Sequence, residues 1–182
     1  MERIVRAFHP LALLVLTVVC VARPQAMLAS ELKPADVKFA PQYEPTFTRE
    51  YGAHEVPVLR AQVVDRVTQS LKSAGDRCTL GLEVTIERAS PTHPTMQQQL
   101  DNPSLDPRRS VVRDSGASLT GQVLDSSGHV LATVKYDHFN GYQPGLAPAK
   151  DPWSEARVAI DGLSHRLVDA CIKESTEAHA KG

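Results

Sequence analysis

The sequence predicts an α+β fold: an antiparallel β-sheet of three to four strands with two α-helices packed on one face, a two-layer sandwich. Three patterns predict it. Apolar residues recur every three or four positions over 57–74 and again over 152–171. Between these segments, apolar and polar residues alternate over 79–88, 117–123 and 130–136. No repeat or linker divides the segments into two cores, and 182 residues suffice for one domain with a substantial interior.

Residues 1–29 read as a secretory signal peptide. Arg3 and Arg6 give a positive start, an apolar run over 11–19 is interrupted only by Thr17, and small residues follow. Cleavage after Ala22 and cleavage after Ala29 both fit. The apolar run falls short of the roughly 18 residues of a membrane span. Cys20 lies in this segment, but Thr17 and Val19 stand where a lipoprotein signal carries Leu and a small residue. Membrane association therefore requires that Cys20 be lipidated or that the signal stay uncleaved.

Residues 30–56 are expected to form a Pro-rich extended segment, because Pro34, Pro41 and Pro45 oppose a long helix and 37–43 suits a strand. Pro57 then opens the first helix, where its missing N–H costs nothing. Leu59, Val63, Val67 and Leu71 form its apolar stripe, widened by Val64, and Gly75 stops it. In the first clear strand Leu80, Leu82, Val84 and Ile86 alternate with Gly81, Glu83, Thr85 and Glu87. Residues 89–110 make a long loop with four prolines, in which 97–99 suits a short helical turn.

A hairpin follows. Ala117, Leu119, Gly121 and Val123 face one side, Asp125, Ser126, Ser127 and Gly128 supply the turn, and Val130, Ala132, Val134 and Tyr136 return. Residues 139–150 form a second loop. In the closing helix Asp151 is the cap and Pro152 takes the first position. Trp153, Ala156, Ile160, Leu163, Leu167 and Cys171 form its stripe. Gly162 in its middle costs about 1 kcal/mol relative to Ala and suits close approach of a neighbouring element. The domain is thus expected to span 57–174, with 175–182 a flexible tail.

Either cleavage removes Cys20 and leaves Cys78 and Cys171, an even pair that predicts one disulfide in an oxidising compartment. The topology agrees. Three strands running up, down and up, followed by a descending helix, bring Cys78 and Cys171 to the same end of the sheet. Removing 1–29 also takes away Arg3, Arg6, Arg23 and Glu2 and leaves a net charge of −3 in place of −1.

The charge balance gives no footprint for nucleic acid. HExxH, P-loop, GxGxxG, GxSxG and CxxC motifs are absent from the sequence. The seven histidines show no ligand spacing, so neither a metal nor a cofactor is expected. Tyr136, Asp137, His138, Phe139, Asn140 and Tyr142 cluster around the second loop and are the candidate binding residues, with Gln143 and Trp153 nearby. Tyr136 and Trp153 also lie on inward stripes and suit the core. Arg108 and Arg109, close to Arg113, form a basic cluster suited to a glycan or an anionic lipid headgroup.

The hairpin over 116–132, with Gly116-Ala117, Leu119, Asp125, Gly128 and Leu131-Ala132, resembles the central hairpin of bacterial envelope lipoprotein domains of unknown function. Trp153 through Arg166-Leu167 is similar to their closing helix, and the resemblance extends over about 56–172. It implies an envelope location and a sheet-and-helix domain, and it carries over no catalytic residue. The chain departs from the pattern in its poor lipobox and in Cys78 and Cys171.

These features define the functional expectation. The chain reads as an exported, periplasmic or secreted, non-enzymatic module that binds or assembles with another envelope protein, a glycan or a lipid headgroup. The alternatives are a small periplasmic hydrolase using His138 and Asp137, and a secreted factor acting on a host or competitor.

Overall fold

Prolines govern how the first described elements form. The structure, a computed structural model, describes residues 35–106, 114–141 and 151–180. It opens with strand β1 (Asp36–Phe39), whose Val37 and Phe39 point inward while Asp36 and Lys38 face out. Helix α1 (Glu44–Tyr51) follows, with Pro45 in its first turn, where no intrahelical N–H bond is lost. The segment expected to be extended therefore contains a strand and a helix. Pro41 lies between these elements and Pro45 at the start of the second, and they oppose neither; Pro34 lies outside the described residues.

Helix α2 (Glu55–Ala74) starts two residues before Pro57, which still falls among the first four N–H positions that have no helical partner. Val63 and Val67 on its stripe are fully buried. A 3₁₀ turn (Gly75–Arg77) leads to Cys78 and β2 (Gly81–Ser90). The proline-containing loop holds a short helix, α3 (Met96–Asp101), opened by a capping box between Thr95 and Gln98. Strands β3 (Ser115–Leu124) and β4 (Val130–Asn140) form the hairpin, and α4 (Ser154–Ala180) closes the fold.

The sheet order is β1-β2-β3-β4. β2, β3 and β4 are antiparallel neighbours, as expected. β1 is parallel to β2, in register from Asp36↔Glu83 to Phe39↔Ile86, so the sheet is mixed rather than antiparallel. Parallel neighbours need a crossover, and α1 with α2 provides it. The architecture is α+β, with four α-helices among the described residues in place of the expected two.

The inward rows of the sheet, the buried stripes of α2 and α4, and α1 join one apolar cluster. Leu167 of α4 packs over Gly121 of β3, where a Cβ would stand 2.9 Å from a Leu167 methyl. The disulfide joins Cys78 to Cys171 with a Cα separation of 5.4 Å. The helix does not end near Cys171. It continues to Ala180, where the Thr176 hydroxyl donates to Ile172 O and His179 Nδ1 to Ser175 O. No helix among the described residues is long and apolar enough to cross a membrane.

Candidate functional site

Because β2 and β4 run in one direction and β3 in the other, the ends of β2 and β4 meet the start of β3 at one rim of the sheet. The end of α1 and the start of α4 lie at the same rim. Most of the described candidate binding residues are found there. Tyr142, Arg108 and Arg109, together with Arg113 and the proposed signal 1–29, lie outside the described residues.

Strand alternation divides the candidates between two faces. Tyr136 and His138 lie on the inward row of β4, and Asp137 and Phe139 on the opposite one. Tyr136 packs against Gly162, and the Arg166 guanidinium sits 4.6 Å from its ring centre. His138 Nε2 lies 3.1 Å from Glu155 Oε2 at the start of α4. Asp137, one residue away, is exposed and projects from the other face. The imidazole is therefore paired with Glu155 rather than Asp137, and no hydroxyl or thiol among the described residues hydrogen-bonds it. Asn140 is half-buried, and its carbonyl accepts from the Ser115 hydroxyl.

Arg88 is a site residue that alternation alone misplaces. Counting by twos from Leu82, Val84 and Ile86 puts Arg88 in the core. A bulge at Glu87 shifts the register, so that Ile86 faces Leu119 while Arg88 faces Ser118. Ala89 thereby turns inward and Arg88 turns out, with its guanidinium 4.0 Å from the centre of the Phe139 ring. The apolar Ala89 following charged Arg88 is the sequence signal for this break in period.

Beside Arg88 lies a shallow cavity of about 260 Å³, lined by Tyr43, Glu50, Tyr51, Arg88, Ser90 and Asp114. Asp114 has φ 59°, a left-handed conformation that places it at the turn into β3. Burial pushes the Tyr51 phenol above its usual range, against a lowering contribution from its bond to Ser90. Burial also pushes Tyr43 up to about 12. Tyr43 Oη donates to Ala89 O at 2.6 Å and accepts from Ala89 N at 3.0 Å.

Beneath the rim stands an aromatic group, Phe39, Tyr43, Phe47, Tyr51 and Trp153, with successive ring centres 4.8 to 6.4 Å apart. Trp153 is buried, as its inward position predicts, and its Nε1 donates to Glu55 Oε2 at 2.7 Å. The other Glu55 oxygen meets His54 Nε2 at 2.8 Å, so this carboxylate, only 7% exposed, is held from two sides. The spacing of Phe39, Tyr43, Phe47 and Tyr51, four residues apart throughout, is the sequence signal for the group.

A second concavity runs between α2 and α4. The ion pair Arg66 Nε–Asp161 Oδ1, at 2.5 Å, lies along it, with space of about 350 Å³ on one side and 480 Å³ on the other. No group of three or more His, Cys, Asp or Glu among the described residues is placed to hold a metal ion.

The rim thus offers a cation on an aromatic ring, two carboxylates, and the hydroxyls of Tyr51 and Ser90. That set suits recognition of a polar group by hydrogen bonds more than attack on one. The chain matches no protein-family model, no curated protein and no solved structure.

Proposed function

We propose that the chain is an exported cell-envelope protein, a non-enzymatic binding or assembly module whose rim receives its partner. The observation that carries this reading is the buried Cys78–Cys171 disulfide, because such bonds persist in oxidising compartments. The signal-like segment 1–29 and the resemblance of the hairpin to envelope lipoprotein domains support the same compartment. The pairing of His138 with Glu155 removes Asp137 as the partner on which the hydrolase alternative relied. In this reading α2 and α4 form one layer over the sheet, and the loops at the rim recognise an envelope protein, a glycan or a lipid headgroup.

The test is photo-cross-linking in intact bacterial cells with a reactive residue in place of exposed Glu50, read with fractionation and thiol mapping. The expected result is a periplasmic chain without 1–29, with Cys78 and Cys171 blocked and a specific adduct that R88E abolishes. Recovery in the culture supernatant would favour a secreted factor. A cytoplasmic chain with two free thiols, or no adduct that depends on Arg88, would overturn the proposal.

A further inference from the structure

The outer edge of β4 is the longest unpaired backbone among the described strands. β4 has 11 residues and is the last strand of the sheet, whereas the opposite edge, β1, has four. Edge strands carry a row of free N–H and C=O groups and invite a further strand, so proteins commonly blunt them with charge. β4 carries Lys135 and Asp137, both exposed on the face opposite α4's contact row. Their inner neighbours across the ladder, Thr120 and Ser118, are uncharged.

We infer that β4 pairs with β4 of a second copy of this chain, antiparallel about a two-fold axis at Tyr136, making one eight-stranded sheet. The charges select the occupant and the register. Centred on Tyr136, the pairing sets Lys135 opposite Asp137 of the second copy and Asp137 opposite its Lys135. Slipping to the next register that keeps side chains on the same faces sets Lys135 against Lys135 in one direction and Asp137 against Asp137 in the other. Like charges directly opposite on neighbouring strands are unfavourable and opposite charges favourable. An edge that repels itself in the adjacent registers is complementary to itself in this one. A two-fold contact is the commonest closed arrangement of identical chains, and this one hides both long edges at once. The nine residues 132–140 overlap fully. Thr133 then faces Phe139 of the second copy on the exposed face, and Val134 faces His138 on the other.

This pairing involves Phe139 and His138, which also stand at the rim, but it is tested separately from the rim reading. A monomer that still gives the Glu50 adduct would overturn the dimer and leave the rim proposal intact. The test is sedimentation equilibrium of the purified chain over a range of concentrations, with circular dichroism to confirm folding of each variant. A dimer is expected. K135E and D137K, each of which replaces two attractions by two repulsions, are expected to raise its dissociation constant about tenfold. The double swap K135D/D137K restores the pairing with reversed sign and is expected to return the constant close to the starting value. A monomer throughout, a dimer indifferent to K135E, or a double swap no better than the single variants would each overturn the inference.

Discussion

Gly162 shows how a single missing methyl fixes the position of α4 on the sheet. A Cβ there would stand 2.3 Å from Cζ of Tyr136 and 2.6 Å from its hydroxyl. The Arg166 guanidinium, one turn further along α4, sits 4.6 Å from the ring centre, so displacing the ring also disturbs this contact. Two effects of Gly162→Ala oppose each other. Alanine gains about 1 kcal/mol of helix propensity, and overpacking against the ring costs about 1–3 kcal/mol. The expected outcome of urea denaturation is net destabilisation by about 1 kcal/mol. In a Tyr136→Ala background the obstruction is gone, and the same Gly162→Ala change is expected to stabilise by about 1 kcal/mol. That reversal of sign separates close packing from a generic effect of helix substitution.

At the scale of elements, β1 is joined to β2 by its ladder, and one phenol extends that attachment towards α1. The parallel ladder ends where Ala40 N donates to Ile86 O. Past the bulge, Tyr43 Oη takes the place of a further residue of β1 by pairing with both backbone groups of Ala89, which is 1% exposed. Tyr43→Phe leaves those groups without the phenol and is expected to cost about 1–3 kcal/mol in denaturation experiments at neutral pH. The phenol also gives a pH dependence. Its folded value lies above the ordinary 10, at about 12, so the native state holds the proton more tightly than the unfolded one. Its contribution is complete below pH 10 and is lost as pH rises from 10 towards 12. Urea midpoints at pH 8.5 and 11 are expected to fall further for the natural chain than for Tyr43→Phe. The hairpin, β2, α2 and α4 are legible in the sequence because each has a long regular apolar period. β1 and α1 are not, because three prolines mask a four-residue aromatic spacing that crosses from strand to helix. The rim is legible in Tyr136–Phe139 and hidden in Arg88, Glu155 and Glu55, since a bulge and contacts between distant segments leave no local period.

At the scale of the whole molecule, the fold is closed by the Cys78–Cys171 bond, which joins the start of β2 to α4 across 93 residues. Constraining a loop of that length in the unfolded chain stabilises by about 4–5 kcal/mol in the chain-entropy picture, an upper figure. Replacing both cysteines by alanine also removes buried sulfur from the core. The expected result is a chain that still folds, with a melting temperature lowered by roughly 10 °C. Burial adds a kinetic consequence. Cys171 is fully buried and Cys78 is 4% exposed, so a dissolved thiol reaches the bond only when the structure opens. Reduction of the native chain is therefore expected to be slow in dilute buffer and to accelerate with urea in parallel with opening. Timed alkylation of released thiols measures this directly. Rapid reduction in buffer without urea, or an unchanged melting temperature in the double alanine variant, would show that the bond is peripheral to the fold. The expected outcome instead makes it a lock that a reducing compartment cannot open without first unfolding the domain. A chain that forms this bond once would then keep it for its working life.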